Sequence, residues 1–169
     1  MYLLKLFFLF SIFGYFMEIT LQAIRDNEPG HSGILYGPWC PVYGIGACLI
    51  FLTFNQIEQW HLQPILTILI MYLTSFICLS LIEWIGGNLI EKIFHIVFWD
   101  YSDQPYHFGK YISLRMSTIW SIGSLILYYA LIPLTNRIFF PPIFSWVLLC
   151  LLLLDYIISF LKQKRHQSN

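Results

Sequence analysis

The chain has 169 residues, of which 58% are hydrophobic and 19% aromatic, and its mean hydropathy is +0.68. Only 11% of its residues are charged, against about 25% in an average soluble domain, and the formal net charge is zero. This balance excludes an ordinary soluble domain, and the lack of a basic patch excludes a protein that binds nucleic acid through its phosphates. The sequence therefore predicts an all-α integral membrane protein with a single transmembrane domain.

The hydrophobic runs set the predicted helices. A helix needs about 20 mostly apolar residues to cross the hydrocarbon core of a bilayer. The sequence predicts about five such transmembrane helices, at residues 2–24, 42–57, 64–85, 114–134 and 143–161. The first run is too long and too aromatic for a signal peptide, and no small-residue cleavage site follows it, so we expect it to remain as a helix.

Between the first two predicted spans, residues 33–46 concentrate glycine and proline in an apolar stretch, which reads Gly-Ile-Leu-Tyr-Gly-Pro-Trp-Cys-Pro-Val-Tyr-Gly-Ile-Gly. Both residue types break helices. Irregular backbone survives at membrane depth only where protein or water satisfies its amides. We therefore expect a Gly/Pro-rich loop that either docks on the cytoplasmic membrane surface or re-enters the bilayer.

The longest polar region lies between the third and fourth predicted spans, from Gly86 to Ser113. In residues 88–98, polar side chains recur at helical spacing and apolar side chains occupy the opposite face. This pattern predicts an interfacial amphipathic helix in the headgroup plane, and the Gly86-Gly87 pair argues against a helix continuous with the third span. An aromatic and acidic turn follows at residues 99–106.

The distribution of lysine and arginine predicts the orientation. With five spans, one side of the membrane holds Arg25, Lys92, Lys110, Arg115, Lys162, Lys164 and Arg165, and the other holds Lys5 and Arg137. The positive-inside rule then places the amino terminus outside and the carboxyl terminus in the cytoplasm. The Gly/Pro segment and the 99–106 turn fall on the same cytoplasmic face, as we expect of two loops that form one site.

The candidate substrate-binding residues come from these two loops and from acidic positions in the spans. They are Glu18, Tyr36, Cys40, Tyr43, Glu83, Trp99, Asp100 and Tyr101. A charged side chain at bilayer depth costs about 2.5–3.5 kcal/mol on insertion scales, so Glu18, within the first span, should face protein or water. For Glu83, which closes the third span, a functional role and tight structural pairing stay equally open.

Structural alternatives to these roles stay open. Glu18 could pair with Arg25 or cap a neighbouring loop, and Asp100 could build a turn by bonding its own backbone two residues on. We interpret Asp155, in the last span, as pairing near the interface with Ser159 and Lys162.

No catalytic site, metal site or cofactor is predicted. The four cysteines lack the spacing of a zinc site, and Glu91 with His95 supplies only two ligands on what is best interpreted as a solvated stripe. A nucleophilic Cys40 or Ser102 with a histidine partner is disfavoured because no nucleophile elbow is present. Residues 33–46 also lack the Lys-Ser/Thr ending of a phosphate loop, so any ATPase would be a separate chain.

Five short motifs carry a family resemblance. They are Gly-Tyr-Phe-Met-Glu at 14–18, the Gly/Pro segment, Ile-Glu-Trp at 82–84, Trp-Asp-Tyr-Ser at 99–102 and Ile-Ser-Leu-Arg at 112–115. Their order and spacing resemble the bacterial putative ABC-transporter type IV family, the CmpB-like membrane proteins. The resemblance implies a multi-pass permease of the bacterial cytoplasmic membrane, with no established substrate.

The chain departs from the pattern of this family at two places. His31 and Ser32 stand where Asn-Arg is usual, and His107 and Lys110 fall in a stretch that usually reads Asn-Leu-x-Gly. Without the loop arginine, this segment lacks the guanidinium fork that binds a phosphate or carboxylate through two bonds.

The favoured function is a permease or transport subunit of unknown substrate, working with a separate ATPase. In this hypothesis the acidic residues line a cytoplasmic vestibule whose walls are aromatic: Glu18, Glu83 and Asp100, with Tyr36, Tyr43 and Trp99. About five helices are few for a pore, so a homo-oligomer or larger assembly is expected in the lipid bilayer. Two alternatives stay open: a small membrane enzyme that acts on a lipid or lipid-linked substrate, and a non-catalytic regulatory or assembly partner.

Overall fold

The computed structural model describes residues 1–26 and 35–167, with side chains at residues 1–24 and 35–162. Its helices are α1 Tyr2–Asp26, α2 Pro41–Glu58, α3 Pro64–Phe94, α4 Leu114–Ile126, α5 Ile132–Thr135 and α6 Pro142–Gln167. A π-helix at Leu127–Leu131 joins α4 to α5. The only strands in the part described are β1 His107–Phe108 and β2 Ile112–Ser113, which form an antiparallel hairpin.

Four helical stretches of the described residues are long and apolar enough to cross a membrane: Tyr2–Ile24, Pro64–Phe94, Leu114–Thr135 and Pro142–Lys162. They confirm the all-α membrane fold and coincide with four of the predicted spans. The predicted span at 42–57 is also helical and belongs to the 18-residue α2, but it is not among the four. Asn55, Gln56 and Glu58 make the last turns of α2 polar, so its role as a span stays a prediction.

The prediction of a separate interfacial helix at 88–98 is wrong. Instead, α3 runs through Gly86-Gly87 without a break and ends at Phe94 after 31 residues. At 1.5 Å per residue this helix is about 46 Å long, against about 30 Å for a hydrocarbon core. At Gly87, Tyr111 packs onto the bare backbone. A Cβ on Gly87 would lie 2.5 Å from the Tyr111 ring.

The hairpin connects the end of α3 to α4. His95 takes a left-handed conformation with φ 55° and closes α3 by donating its backbone N–H to the Glu91 carbonyl. In the hairpin, His107 faces Ser113 and Phe108 faces Ile112, and Gly109 makes the turn with φ 62°. Ser113 then caps α4, because its Oγ accepts the Met116 N–H at 3.2 Å.

Packing divides the chain into two compact units. The first unit consists of Met1–Ile45 and Phe139–Asn169, and the second of Gly46–Ile138. In the first unit, Phe8, Trp39 and Leu152 form a buried apolar cluster. In the second, Phe54 packs edge-on against Tyr128, with ring centroids 5.3 Å apart. Each unit also buries an acidic side chain, Asp155 in the first and Glu83 in the second.

Candidate functional site

In the second unit, one face of α3 carries a line of polar positions. Ser80, Glu83, Gly87 and Glu91 follow one another at spacings of three or four residues, which places them on the same side of the helix. The hydroxyl of Ser80 lies 2.6 Å from the hydroxyl of Ser117, which belongs to α4. The α3 face is therefore covered by α4 at Ser80, and it is covered by the hairpin farther along.

Glu83 is the acidic centre of this face. Its side chain is only 7% exposed. Its Oε1 accepts the Trp120 indole N–H at 2.8 Å and the Tyr101 hydroxyl at 3.2 Å. The first donor belongs to α4 and the second to the turn after α3, so two separate segments orient one carboxylate. The tight structural pairing that the sequence left open for Glu83 is therefore present, and its contact with a substrate stays a prediction.

The register of α3 against α4 shows where Glu83 lies along the span. Ser80 is opposite Ser117 and Gly87 is opposite Tyr111, so Glu83 lies within about one turn of the start of α4. Since α4 begins at Leu114, Glu83 is near the end of the apolar stretch that these two helices share. An ionisable residue at this depth is a functional-site candidate by default.

Beyond Glu83, the hairpin is attached to α3 at Glu91. The Tyr111 hydroxyl donates to Glu91 Oε2 at 2.7 Å, and Lys110 Nζ lies 2.5 Å from Oε1. Burial, helped by the Glu91 carboxylate, raises the pKa of Tyr111 to about 12, and the hydrogen bond to Glu91 raises the pKa of Lys110. Across the physiological range Tyr111 therefore stays a neutral donor and Lys110 stays charged.

Trp99 packs next to this attachment. Its ring meets the Tyr111 ring edge-on, with centroids 5.9 Å apart. The indole nitrogen of Trp99 is buried and has no hydrogen-bond partner among the described residues. A buried donor without an acceptor costs about 1–3 kcal/mol, so this is a locally unfavourable arrangement.

Asp100 takes the structural role that the sequence left open. Its Oδ1 accepts the Ser102 N–H at 2.8 Å and also the Ser102 hydroxyl. These two hydrogen bonds lower the pKa of Asp100, the hydroxyl contributing more. The exposed carboxylate builds the turn that carries Tyr101, and its predicted contact with a substrate stays a prediction.

In the first unit, a second carboxylate holds the Gly/Pro segment. Asp155, on α6, accepts the backbone N–H groups of Tyr36 at 2.9 Å and Gly37 at 2.7 Å. It also accepts the Trp39 indole N–H at 2.8 Å and the Ser159 hydroxyl at 3.2 Å. Four donors therefore converge on one buried side chain.

This role of Asp155 was not predicted from the sequence. The expected contact with Ser159 is present, but the main partners come from the loop, far away in the sequence. The available signal was an ionisable residue inside an apolar span, together with a loop whose backbone amides need an acceptor. Lys162, the other expected partner, lies over the Tyr36 ring with its Nζ 5.0 Å from the centroid.

The other predicted residues of the first unit meet at the start of α2. The Tyr43 hydroxyl donates to Glu18 Oε1, and the Tyr43 ring fills the space beside Gly14. Arg25, the alternative partner of Glu18, lies outside the described side chains. Burial, with the nearby Glu18 carboxylate, raises the pKa of the Cys40 thiol to about 12. A thiol so hard to ionise is a poor nucleophile.

Within residues 1–24 and 35–162, no three His, Cys, Asp or Glu side chains cluster so as to hold a metal ion.

A polar cluster lies at the π-helix. The Tyr128 hydroxyl lies 2.8 Å from Asn55 Oδ1 and 2.9 Å from Glu58 Oε2. Sequence reasoning missed this cluster, and the only signal was the tyrosine pair before Pro133.

Comparison with known proteins places the chain in a family. No curated protein and no protein of known structure matches it. The family model described as Putative ABC-transporter type IV matches residues 5–163, which include α1 to α5 almost entirely and most of α6. Both polar groups, around Glu83 and around Asp155, fall inside the match. The chain is a membrane protein that belongs to the putative ABC-transporter type IV family, and this membership supports a transport-related role.

Proposed function

We propose that this protein is the membrane-spanning permease subunit of a transporter whose ATPase is a separate chain. We further propose that it lies in the bacterial cytoplasmic membrane, with the amino terminus outside and the carboxyl terminus in the cytoplasm. The observation that carries the permease proposal is Glu83, a buried carboxylate oriented by donors from two segments near the end of a membrane-length helix pair.

The serines beside Glu83 have a simpler explanation than substrate binding. The hydroxyl of Ser80 donates to the Phe76 carbonyl at 2.6 Å, and that of Ser121 to the Ser117 carbonyl at 2.6 Å. Small side chains that bond their own helix let two membrane helices approach closely. In this seam the serines therefore support helix packing, and Glu83 is the group that supports a functional interpretation.

The proposed substrate contacts in the second unit are Glu83, Tyr101 and Trp99. Tyr101 and Trp99 lie on the segment between α3 and the hairpin, so a movement of this segment would change the surroundings of Glu83. Trp120 orients Glu83 from α4. The proposal includes a second group of substrate contacts, formed by the predicted residues of the first unit: Glu18, Tyr36, Cys40 and Tyr43. Asp100 is included through the turn that carries Tyr101.

The test is native mass spectrometry of the protein, gently extracted from its own membrane. We expect an ATPase subunit bound at fixed stoichiometry. A bare homo-oligomer that carries one defined lipid would overturn the proposal and favour a lipid-modifying enzyme. A stoichiometric partner without ATPase activity would overturn it as well and favour a regulatory protein.

A pair of matched variants then tests the site. Glu83→Gln should leave the complex assembled and lower the ATP hydrolysis of the reconstituted complex at least tenfold, because the substitution removes the charge and keeps the shape. Asp103→Asn neutralises an exposed acid of the same loop and should leave hydrolysis unchanged. Equal rates for Glu83→Gln and the parent complex would remove Glu83 from the proposed site.

A further inference from the structure

The segment from Tyr101 to Ser113, which contains the hairpin, covers the polar face of α3 with three side chains. Tyr101 reaches Glu83, and Lys110 and Tyr111 both reach Glu91. Glu83 and Glu91 are two helical turns apart on the same face. The segment therefore rests on α3 at two acidic positions, one buried and one half-exposed.

The two attachments are coupled through the backbone. The Tyr101 N–H donates to the Lys110 carbonyl at 2.8 Å. The side chain of Lys110 bonds Glu91, while the ring of Tyr101 extends to Glu83. A displacement of Lys110 from Glu91 would thus be passed to Tyr101 through a single hydrogen bond, and from there to Glu83.

The two attachments also differ in strength. At Glu91 the segment makes a charge-assisted contact of 2.5 Å and a hydroxyl contact of 2.7 Å. At Glu83 the Tyr101 hydroxyl lies 3.2 Å away, which is long for a hydrogen bond between oxygens. The geometry therefore indicates that the charged attachment of the segment is at Glu91, while at Glu83 the segment contributes a neutral hydroxyl.

The covered state has an unfavourable feature that opening would relieve. The indole N–H of Trp99, which packs on Tyr111, is buried without an acceptor among the described residues. If the segment moved away from α3, water or a substrate oxygen could reach this donor. The left-handed backbone of His95, φ 55°, marks the joint between α3 and the segment, where a change of direction is already present.

We propose that residues 101–113 form a lid over Glu83 and that the Lys110–Glu91 ion pair is its latch. The lid would regulate the proposed substrate site, so its meaning for transport rests on the proposed function. The motion of the lid does not rest on the proposed function, because opening and closing are properties of the chain alone. Lys110 is then a positioning residue that acts on Glu83 through Tyr101.

The experiment measures the lid directly. Spin labels are attached at Phe108→Cys on the hairpin and Leu89→Cys on α3, in a variant without native cysteines and in lipid nanodiscs. Both side chains are exposed, at 69% and 54%, and neither belongs to the proposed latch or site. Pulsed electron resonance then gives the distribution of distances between the labels.

At low salt we expect one main short distance. Lys110→Ala should increase the ratio of open to closed lid about two- to fivefold, the effect of losing an exposed ion pair. Raising the salt should also increase the ratio of open to closed lid in the protein that keeps Lys110. Salt screens the ion pair because its two side chains are half-exposed. Lys110→Arg should keep the short distance, and Lys92→Ala, which removes an exposed neighbouring charge, should not change it.

Distance distributions that stay the same in Lys110→Ala and at high salt would overturn the latch. If Lys110→Ala fails to fold, the salt series on the parent decides alone. A lid that opens as expected in a protein that binds no ATPase would leave the latch standing and reject only the permease function.

Discussion

The carboxylate of Asp155 accepts the indole N–H of Trp39 at 2.8 Å, which joins the middle of α6 to the loop before α2. Trp39 is also part of the buried cluster with Phe8 and Leu152. One residue thus links the polar anchor of the Gly/Pro segment to the apolar core of the first unit. The loop and the apolar core both depend on Trp39. A variant that releases Trp39 from Asp155 should therefore disturb the structure of both.

Asp155→Asn should destabilise the first unit strongly. Asparagine replaces one acceptor oxygen with an amide group that faces the loop donors, so at least one buried N–H loses its partner. A buried donor left without its acceptor costs about 1–3 kcal/mol. We expect a clear fall in Tm in detergent and faster proteolysis between α1 and α2.

Ser159→Ala is the matched control for this variant. It removes only the longest of the four contacts, at 3.2 Å, and should cost about 1 kcal/mol. An Asp155→Asn protein as stable as Ser159→Ala would show that the loop does not depend on the carboxylate.

Gly87→Ala should also destabilise the protein, although alanine is the better helix former. The new Cβ would lie 2.5 Å from the Tyr111 ring, which is itself packed against Trp99. Overpacking of this kind costs about 1–3 kcal/mol, more than the roughly 1 kcal/mol gained in helix propensity. Thermal unfolding measures the net effect.

Gly123→Ala serves as the comparison, because a Cβ at Gly123 in α4 meets nothing within 4 Å. This variant should be stabilised by up to about 1 kcal/mol. Equal shifts of Tm in the two variants would mean that the contact between Gly87 and Tyr111 is loose.

The thiol of Cys40 should react slowly with maleimide. Its pKa of about 12 leaves far less thiolate at neutral pH than an ordinary cysteine has, so alkylation should be about a thousandfold slower. The pKa is raised, so the rate should still be increasing at pH 10, where an ordinary thiol has levelled off. The measurement uses a variant with Cys40 as its single cysteine.

Unfolding the same variant in denaturant provides the control, since it removes the burial that raises the pKa. The rate should then level off by about pH 10, as for an ordinary cysteine. A folded protein that reacts as fast as the unfolded one would contradict the burial of Cys40 and reopen its role as a nucleophile.

The turn at Asp100 should depend on pH in the acidic range only. The folded pKa of Asp100 is lowered from 3.8 by Ser102, so the charged turn contributes stability above the unfolded pKa. This contribution is lost as the pH falls through the lowered folded pKa. Carboxyl carbon resonances of labelled aspartate give the titration of Asp100 directly.

Ser102→Ala removes the hydroxyl and keeps the backbone N–H, so the pKa of Asp100 should move toward 3.8 without reaching it. The denatured chain supplies the reference titration. An unchanged titration in Ser102→Ala would show that the hydroxyl does not bond Asp100 in solution.

The features that depend on residues close together in the sequence could be predicted from it. The lengths of the apolar runs predicted the four membrane-length helices, and the Asp100 turn was foreseen because Ser102 is only two residues away. The continuation of α3 past Gly86 was not foreseen, since the residue that packs on Gly87 is Tyr111, which is far away in the sequence. Strands of two residues are too short to leave a periodic pattern.

The candidate site divides in the same way. Glu83 was identified because a charge inside an apolar run is visible in the sequence, but Trp120 as its donor was not, because the register of α3 against α4 fixes that contact. Asp155 was noticed and assigned local partners. Its loop partners follow from the path of the Gly/Pro segment, which no local pattern encodes.

The length of α3 makes the protein sensitive to the thickness of its membrane. A helix about 46 Å long in a hydrocarbon layer of about 30 Å must tilt or leave about ten residues outside. Glu83 lies about ten residues from the end of α3, close to where the hydrocarbon layer would end along the helix. A thicker bilayer would therefore submerge the carboxylate, and a thinner one would bring it into the headgroup region, so lipid chain length should tune how readily water reaches it.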